Sequence, residues 1–363
     1  MADNFDLMGL ALKATCPSNE ILIDNAGMPS VMVRIPKMTY AQLGMGESGA
    51  THPAFIVNGQ EVEEIYISKY QNIVQNGRAY SLPGQDPRAS LTFDQARQYC
   101  EAKGDGWHCM TRMEWGLIQR ICEAEKFIPL GNNNFGKHSS EQFYKAIPTY
   151  YDTGNDGKIG RVATGTGPLT WYHDGSPSGI ADLCGNVWEW SGGIRSVYGE
   201  LQVLANNNGA DAANSQGASS SEWKAINADD GSLTTPDGSG TTANSVKMDW
   251  ASSHLRYAKT ITTKEDTYRD TEFKSIDCDG SIGESAKLLL QSLGMLPYSA
   301  EDLCAKANHH CWFNNGASER AFYSGGSWYS SSCGLASFYG YSTRSTSWTG
   351  LGFRAAFVKL PTA

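Results

Sequence analysis

AFYSGGSWY at residues 321–329 and GLGFRAAF at residues 350–357 bracket a segment of quite different composition. The two ends hold Gly, Trp, Phe and Arg. Between Trp328 and Gly352 the sequence is mostly Tyr, Ser, Thr and Gly, with no Lys, Asp or Glu, and Arg344 is its single charged residue. Tyr and Trp supply rigid contact area at low entropic cost, and Ser and Gly adapt around them. This composition is typical of a binding surface, and we expect the rest of the chain to serve as its scaffold.

The two ends are predicted to form a rigid frame. Gly325–Gly326 permits a tight turn and a close approach of the backbone. We expect Trp328 and Phe353 to anchor the segment in the core. Arg354 is predicted to be a buried donor to a carboxylate or to backbone carbonyls, with Glu189 as one candidate partner. With its ends fixed, the middle can vary without unfolding the protein, as loops on rigid scaffolds do.

Composition bounds the class of protein. The chain has 363 residues, enough for one large domain or two, with 40% hydrophobic and 11% aromatic residues and 39 Gly. This mixture favours loop-rich β or α+β structure over helix bundles. The formal net charge is −9 and no Lys/Arg-rich run occurs, so we expect no nucleic-acid binding.

The sequence gives no targeting or metal-site signal. A basic segment followed by an apolar run is missing at the N-terminus, and no stretch of about 18 apolar residues occurs, so we expect neither a signal peptide nor membrane insertion. Nine Cys are present without a Cys-x-x-Cys spacing. An odd count without that spacing favours buried, reduced thiols over a zinc site or a disulfide framework.

Local patterns predict several elements. Strands are expected at residues 21–23, 31–35 and 61–70. Two helices are expected after Thr92 and Thr111, because Gln95 and Glu114 complete a capping box with each. A further short amphipathic helix is predicted over residues 283–296. Residues 205–282 are poor in core-forming residues and are predicted to be a long surface insertion with few elements.

Three spaced motifs carry a family resemblance. They are SLTFDQA at 90–96 with MTRMEW at 110–115, GNVWEW at 185–190, and GGSW at 325–328 with GFR at 352–354. Together they resemble the formylglycine-generating-enzyme-like (sulfatase-modifying-factor-like) branch of the C-type lectin fold. The resemblance implies an α+β fold with two helices packed on twisted antiparallel sheets. It also implies a β-rich N-terminal extension at 1–50, a lectin-like domain at 51–363 and a hypervariable ligand-binding segment at about 320–357.

More closely, the chain resembles the variable proteins of diversity-generating retroelements, including those on bacteriophage tails. In that family a reverse transcriptase copies a template with errors at adenines and overwrites the 3′ end of the gene. The resemblance implies diversified ligand contacts at Tyr329, Ser330, Ser332, Tyr339, Tyr341, Ser342, Thr346 and Trp348. As surface contacts, Tyr339, Tyr341 and Trp348 should each be replaceable by Ala with loss of binding and little loss of stability.

The resemblance also implies partners and a location. The expected partner is an unknown protein or glycan on the surface of a target cell, and the expected location is the virion tail, with other tail proteins as neighbours. A bacterial cell surface is the alternative location. Assembly into a homo-oligomer stays open.

Three function classes compete. The first is a non-enzymatic, receptor-binding protein without a cofactor. The second is a surface adhesin or calcium-dependent lectin, for which Asn186 and Glu189 lie near positions where related enzymes hold structural calcium. The third is an oxidase of the formylglycine-generating type, which needs a pair of cysteines in the C-terminal segment. Cys333 is the single Cys between Trp328 and Phe353, and no nucleophile elbow or phosphate-binding loop occurs. We therefore expect no catalytic residues.

Overall fold

The computed structural model describes residues 4–361 and shows a mixed α+β chain with few helices. The helices are α1 (Asn4–Thr15), α2 (Phe93–Glu101), α3 (Arg112–Ala124), α4 (Glu284–Ser292) and α5 (Leu303–Lys306). None of the helices in this described range is both long and apolar enough to cross a membrane.

The two predicted helix starts are confirmed in detail. The side chain of Thr92 accepts a hydrogen bond from the backbone N–H of Gln95, and the side-chain oxygen of Gln95 accepts one from the backbone N–H of Thr92. Thr111 and Glu114 make the same reciprocal pair at the start of α3. A capping box satisfies two backbone N–H groups that a helix N-terminus leaves unpaired, which explains why the chain enters both helices at these residues.

One sheet has the strand order β1-β2-β5-β23-β8 and is antiparallel throughout. Its strands are β1 (Asn19–Ile23), β2 (Pro29–Pro36), β5 (Glu64–Ser68), β8 (Trp107–Cys109) and β23 (Ala355–Phe357). The described residues also form three small two-stranded hairpins. These are β3 (Ile56–Val57) with β4 (Gln60–Glu61), β6 (Ile73–Gln75) with β7 (Arg78–Tyr80), and β9 (Tyr151–Asp152) with β10 (Lys158–Ile159).

The larger sheet runs in the order β17-β19-β21-β20-β11-β12-β15-β16-β18, with β22 beside β11 and the β13–β14 hairpin beside β12. Its strands are β11 (Trp188–Val197), β12 (Glu200–Val203), β13 (Lys224–Ile226), β14 (Leu233–Thr234), β15 (Lys247–Ala251), β16 (His254–Ala258), β17 (Arg269–Glu272), β18 (Asp277–Cys278), β19 (His310–Phe313), β20 (Arg320–Ser324), β21 (Phe338–Gly340) and β22 (Leu351–Phe353). Helices α3 and α4 pack together, and α3 also packs on β11.

The N-terminal residues differ from the prediction in two ways. Residues 4–15 form a helix rather than β structure, and β1 and β2 do not form a separate extension. Each of the five residues of β2 from Met32 to Pro36 pairs with a residue of β5, so the sheet runs across the expected boundary at residue 50. The alternating burial of β2 explains this, because its inward face must be covered by the same core as β5.

Residues 205–282 were expected to contain few elements, and that expectation is wrong. The segment contributes β13 to β18 to the larger sheet. Trp223, Met248, Tyr257 and Phe273 are almost fully buried. Its apolar residues are few but they alternate along short strands, so a small number of them suffices to cover one sheet face.

Candidate functional site

A surface cavity of about 820 Å³ lies over the edge of the larger sheet formed by β19, β21 and β20. All eight predicted contact positions line it. These are Tyr329, Ser330, Ser332, Tyr339, Tyr341, Ser342, Thr346 and Trp348. The volume falls in the range of sites that hold small ligands, and aromatic walls with a few polar groups are typical of such sites.

One wall of the cavity comes from outside those eight positions. We call it the fixed wall, and it consists of Trp188, Tyr268, Trp312, Arg320 and Tyr323. Tyr268 precedes β17 and belongs to the segment predicted to be an insertion, and Trp312 lies in β19. These residues could not be selected as ligand contacts from the sequence alone. The reason is that β17, β19 and β21 become neighbours only through pairing between strands that are distant in the sequence.

Stacked rings hold the floor of the cavity. The rings of Tyr323 and Tyr339 are parallel within 7° with centroids 4.8 Å apart. The edge of Trp188 lies against both, at 5.1 and 5.8 Å, and Trp312 lies 5.6 Å from Tyr339. Such pairs contribute about 0.5–1.5 kcal/mol each beyond the area they bury. Tyr339 is therefore part of the packing as well as of the surface.

The segment between the two ends is not exposed along its whole length. Residues 333–338 are buried, and Leu335, Ala336 and Phe338 belong to the main core. Ser342 is also buried and shares a hydrogen bond of 3.0 Å with the hydroxyl of Tyr323. Tyr329, by contrast, is 47% exposed. The exposed part of the segment therefore consists of two short loops, one before and one after β21, and not of one continuous variable loop.

Arg344 fixes the second of these loops. Its guanidinium donates to both carboxylate oxygens of Glu319, at 2.9 and 3.0 Å, and to Asp94 at 2.9 Å. It also donates to the carbonyl of Gln216, and its own carbonyl accepts from the backbone N–H of Phe93. In the sequence, Arg344 stands out as the single charged residue between Trp328 and Gly352.

The predicted frame is built as expected on its first side. Gly325 and Gly326 have φ of 95° and 99°, and a Cβ on Gly326 would lie 2.5 Å from that of Cys333. Such φ values are available to glycine at little cost. Trp328 is buried, and its indole N–H donates to Asp152 at 3.0 Å.

On the second side, Phe353 and Arg354 are fully buried. Arg354 donates to both carboxylate oxygens of Glu189 at 2.8 Å, in the bidentate geometry that makes such pairs strong. It also donates to the carbonyls of Ser68 and Ala181. The suggested partner of Arg354 is therefore the residue it contacts.

The side-chain oxygens of Asn186 and Glu189 are engaged in hydrogen bonds within the core. Both oxygens of Glu189 accept from Arg354, and one also accepts from Gln71 at 2.9 Å. The amide oxygen of Asn186 accepts from the backbone N–H of Val162 at 2.8 Å and from Asn132 at 3.2 Å. The guanidinium of Arg354 neutralises the carboxylate of Glu189, and these hydrogen bonds give both residues a structural role. Over residues 4–361, no cluster of three or more His, Cys, Asp or Glu is arranged to hold a metal.

The ionisable groups of the cavity are neutral apart from one. Burial raises the pKa of Tyr339 to about 12 and also raises the pKa of Tyr329, so both phenols keep their protons at neutral pH. Among the described residues that line the cavity, Arg320 is the one with a full charge. Cys333 lies beneath, where burial raises the pKa of its thiol well above the usual range. A protonated thiol is a poor nucleophile and a poor metal ligand.

Part of the chain is similar to known proteins. The chain matches the structure of PvdO from Pseudomonas aeruginosa at 17% identity, over 47% of this chain and 73% of that one, with a TM-score of 0.25. We base no assignment on that similarity. No curated protein gives a significant match. Residues 48–219 match the family model described as the sulfatase-modifying factor enzyme 1-like domain, a range that ends before the C-terminal cavity segment. The chain thus has an α+β, C-type lectin-like fold and contains, at residues 48–219, a region similar to sulfatase-modifying factor enzyme 1-like domains.

Proposed function

We propose that this protein is a non-enzymatic receptor-binding protein that holds its ligand, a protein or glycan on a target cell, in the C-terminal cavity. The observation that carries the proposal is the separation of roles along residues 321–357. The predicted contact positions surround one cavity, while the frame residues Trp328, Phe353 and Arg354 are buried beneath or beside it. A rigid frame under an adaptable aromatic and hydroxyl surface is the design of antibody-like contact faces.

We further propose that the contact positions are diversified by a retroelement, and the separation between contact positions and frame residues supports this. The contact positions can change while the core contacts of Leu335, Ala336 and Phe338 persist. Location on a virion tail, with tail proteins as neighbours, belongs to this proposal, and a bacterial surface adhesin is its alternative. The flanking DNA tests it. We expect a near-copy of the last hundred or so bases that differs at adenines, beside a reverse-transcriptase gene and tail genes.

An oxidase of the formylglycine-generating type is supported by the family match to the same extent. Two features favour binding over oxidation. Cys333 is the single Cys between Trp328 and Phe353, and its thiol is buried rather than open to the cavity. A catalytic cysteine needs a depressed thiol pKa and partial exposure.

Binding is tested directly with fluorescently labelled protein on intact bacterial cells of several species. Tyr329→Ala and Tyr341→Ala remove ring area from the rim of the cavity and should abolish cell labelling without changing Tm. Tyr144→Ala is the matched control, because Tyr144 is 65% exposed and does not line the cavity. Labelling that survives both rim substitutions, or that disappears in the control, would place the contact surface elsewhere.

A further inference from the structure

The single charged residue of the described cavity lining belongs to the fixed wall. Arg320 is there, and of the described lining residues none is Lys, Asp or Glu. The whole protein has a formal net charge of −9. A single cation among neutral aromatic and hydroxyl groups attracts an anion more strongly when water is partly excluded from the site. The cavity lining therefore carries one positive side chain and no negative one, although the whole molecule is acidic.

Arg320 has donors to spare. Its guanidinium makes two hydrogen bonds to described residues, one to the carbonyl of Glu319 at 2.8 Å and one to the carboxylate of Asp266 at 3.2 Å. A guanidinium has five N–H donors in a planar fork, so three are left, of which the Nε–H is buried and the other two belong to the terminal nitrogens. The side chain of Asp266 is 66% exposed, and an ion pair of that kind is screened by water and contributes little.

A second donor in the fixed wall is also unused. The indole N–H of Trp312 is buried and meets no acceptor in residues 4–361. Leaving a buried donor unpaired costs about 1–3 kcal/mol, which an acceptor on a ligand would recover after a small shift of the neighbouring rings. The fixed wall thus has unpaired donors on Arg320 and Trp312 that acceptors on a ligand can satisfy.

The remaining lining suits a ring rich in hydroxyl groups. Among described residues, the phenol groups of Tyr268, Tyr329 and Tyr341 make no hydrogen bond to the protein, and the ring of Tyr268 lies 5.6 Å from that of Tyr341. Flat aromatic faces pack against the C–H faces of a ligand, and their hydroxyls exchange hydrogen bonds with it. The contacts made by the diversified positions can change from one variant of the protein to another, whereas the contacts made by the fixed wall stay the same.

We infer that the cavity takes a carboxylate-bearing saccharide, whose carboxylate is bound by Arg320 and whose ring packs on the aromatic faces. The inference rests on the proposed binding function and narrows its ligand from a protein or glycan to an acidic glycan. Within the site, the fixed wall selects the chemical class of the ligand, and the loops around β21 select which member of that class is bound. No calcium is involved in this mode of sugar binding.

The test titrates the whole protein with four small probes by saturation-transfer and chemical-shift NMR. They are methyl β-D-glucuronide, methyl α-N-acetylneuraminide, methyl β-D-glucoside and acetate. At least one of the two acidic sugars should bind about tenfold more tightly than the glucoside, a difference of about 1.4 kcal/mol. Which of them binds identifies the source of the carboxylate. Acetate should bind weakly, because it lacks the ring.

Two variants with matched controls locate the carboxylate. Arg320→Gln should remove the preference for the acidic sugar and leave glucoside binding within about twofold. Asp266→Asn, a change at an exposed residue, should strengthen acidic-sugar binding because it removes the carboxylate that competes with the ligand for Arg320. Arg256→Gln and Asp277→Asn are the controls, since these residues form a comparable surface pair away from the cavity lining and should change nothing.

Equal binding of acidic and neutral sugars would overturn the inference, and so would a preference that survives Arg320→Gln or ignores Asp266→Asn. If none of the sugars binds while cell labelling still depends on Tyr329 and Tyr341, the ligand is not an acidic glycan of this kind and only the inference fails. If an acidic sugar binds and cell labelling does not depend on those tyrosines, the proposed receptor-binding function fails instead.

Discussion

Arg354 and Glu189 are both almost fully buried, and the frame depends on their pairing. Arg354→Met would leave the carboxylate of Glu189 in the interior with Gln71 as its remaining side-chain donor. Breaking a buried pair in this way costs about 3–5 kcal/mol, because the surviving charge has lost its compensation. Urea unfolding should show this loss.

The double variant Arg354→Met with Glu189→Leu should recover part of it, since no charge then remains buried. Arg256→Met is the control, because its pair with Asp277 lies at the surface, where water screens it, and should contribute little to stability. A single variant at Arg354 that is as stable as this control would contradict the assigned role.

Lys103 gives the protein an unusual pH dependence. Its side chain is fully buried, and burial lowers its pKa to about 7. The rings of Trp107 and Tyr80, at 3.6 and 4.8 Å, favour the charged form but do not fully offset the desolvation. Between pH 7 and the ordinary lysine pKa near 10.5, the unfolded chain holds a proton that the native state lacks, so stability rises with pH.

We expect the free energy of unfolding to increase by on the order of 1–3 kcal/mol between about pH 7 and pH 9.5, and Lys103→Met to lack this increase. Urea unfolding at both pH values for both proteins measures it. Parallel pH profiles for the wild type and the variant would show that Lys103 stays charged within the folded protein.

At the scale of elements, β21 is a short strand whose two faces have different jobs. Phe338 points into the core, while Tyr339 stacks on Tyr323 and contacts Trp188 and Trp312 at the cavity floor. The expectation that Tyr339→Ala leaves stability unchanged therefore needs revision. We predict a loss of about 2–4 kcal/mol, somewhat below the range for a fully buried aromatic residue.

Tyr329→Ala should change stability by no more than about 0.5 kcal/mol, because Tyr329 is largely at the surface. Thermal unfolding of the two variants side by side gives the comparison. Equal Tm values would mean that the ring stack of the floor does not contribute to folding.

Elements whose signals are local could be predicted from the sequence. The capping boxes at Thr92 and Thr111 are four-residue patterns, and each starts a helix where predicted. The fixed wall could not be predicted, because Trp312 and Tyr339 are neighbours only through the parallel pairing of β19 with β21. Burial of residues 333–338 was missed for a related reason: Leu335 and Phe338 stand among Ser and Gly without a period that marks a strand or helix.

At the scale of the whole molecule, the C-terminal strands join the two sheets. β22 pairs in parallel with β11 in the larger sheet, and β23, after Arg354, pairs with β5 and β8 in the other. The segment that carries the cavity therefore ends in the same sheet as the N-terminal strands. The cavity is connected to β1 and β2 through β5, which explains why the expected boundary at residue 50 is not a structural one.

This connection predicts different outcomes for two N-terminal deletions. Removing residues 1–15 deletes α1, whose Leu7, Met8 and Leu10 are 58–69% exposed, and should lower Tm by no more than a few degrees. Removing residues 1–36 also deletes β1 and β2. It uncovers the edge of β5 and takes Met32, Val33 and Ile35 out of buried positions.

Losing three buried apolar side chains costs several kcal/mol, of the order of the whole stability of a typical domain, and a bare strand edge promotes aggregation. The longer deletion should therefore give insoluble protein, or protein without a cooperative thermal transition. Circular dichroism melting and size-exclusion chromatography of both deletions measure this. A soluble product of the longer deletion that melts cooperatively near the Tm of the full chain would mean that the N-terminal strands are a separable extension after all.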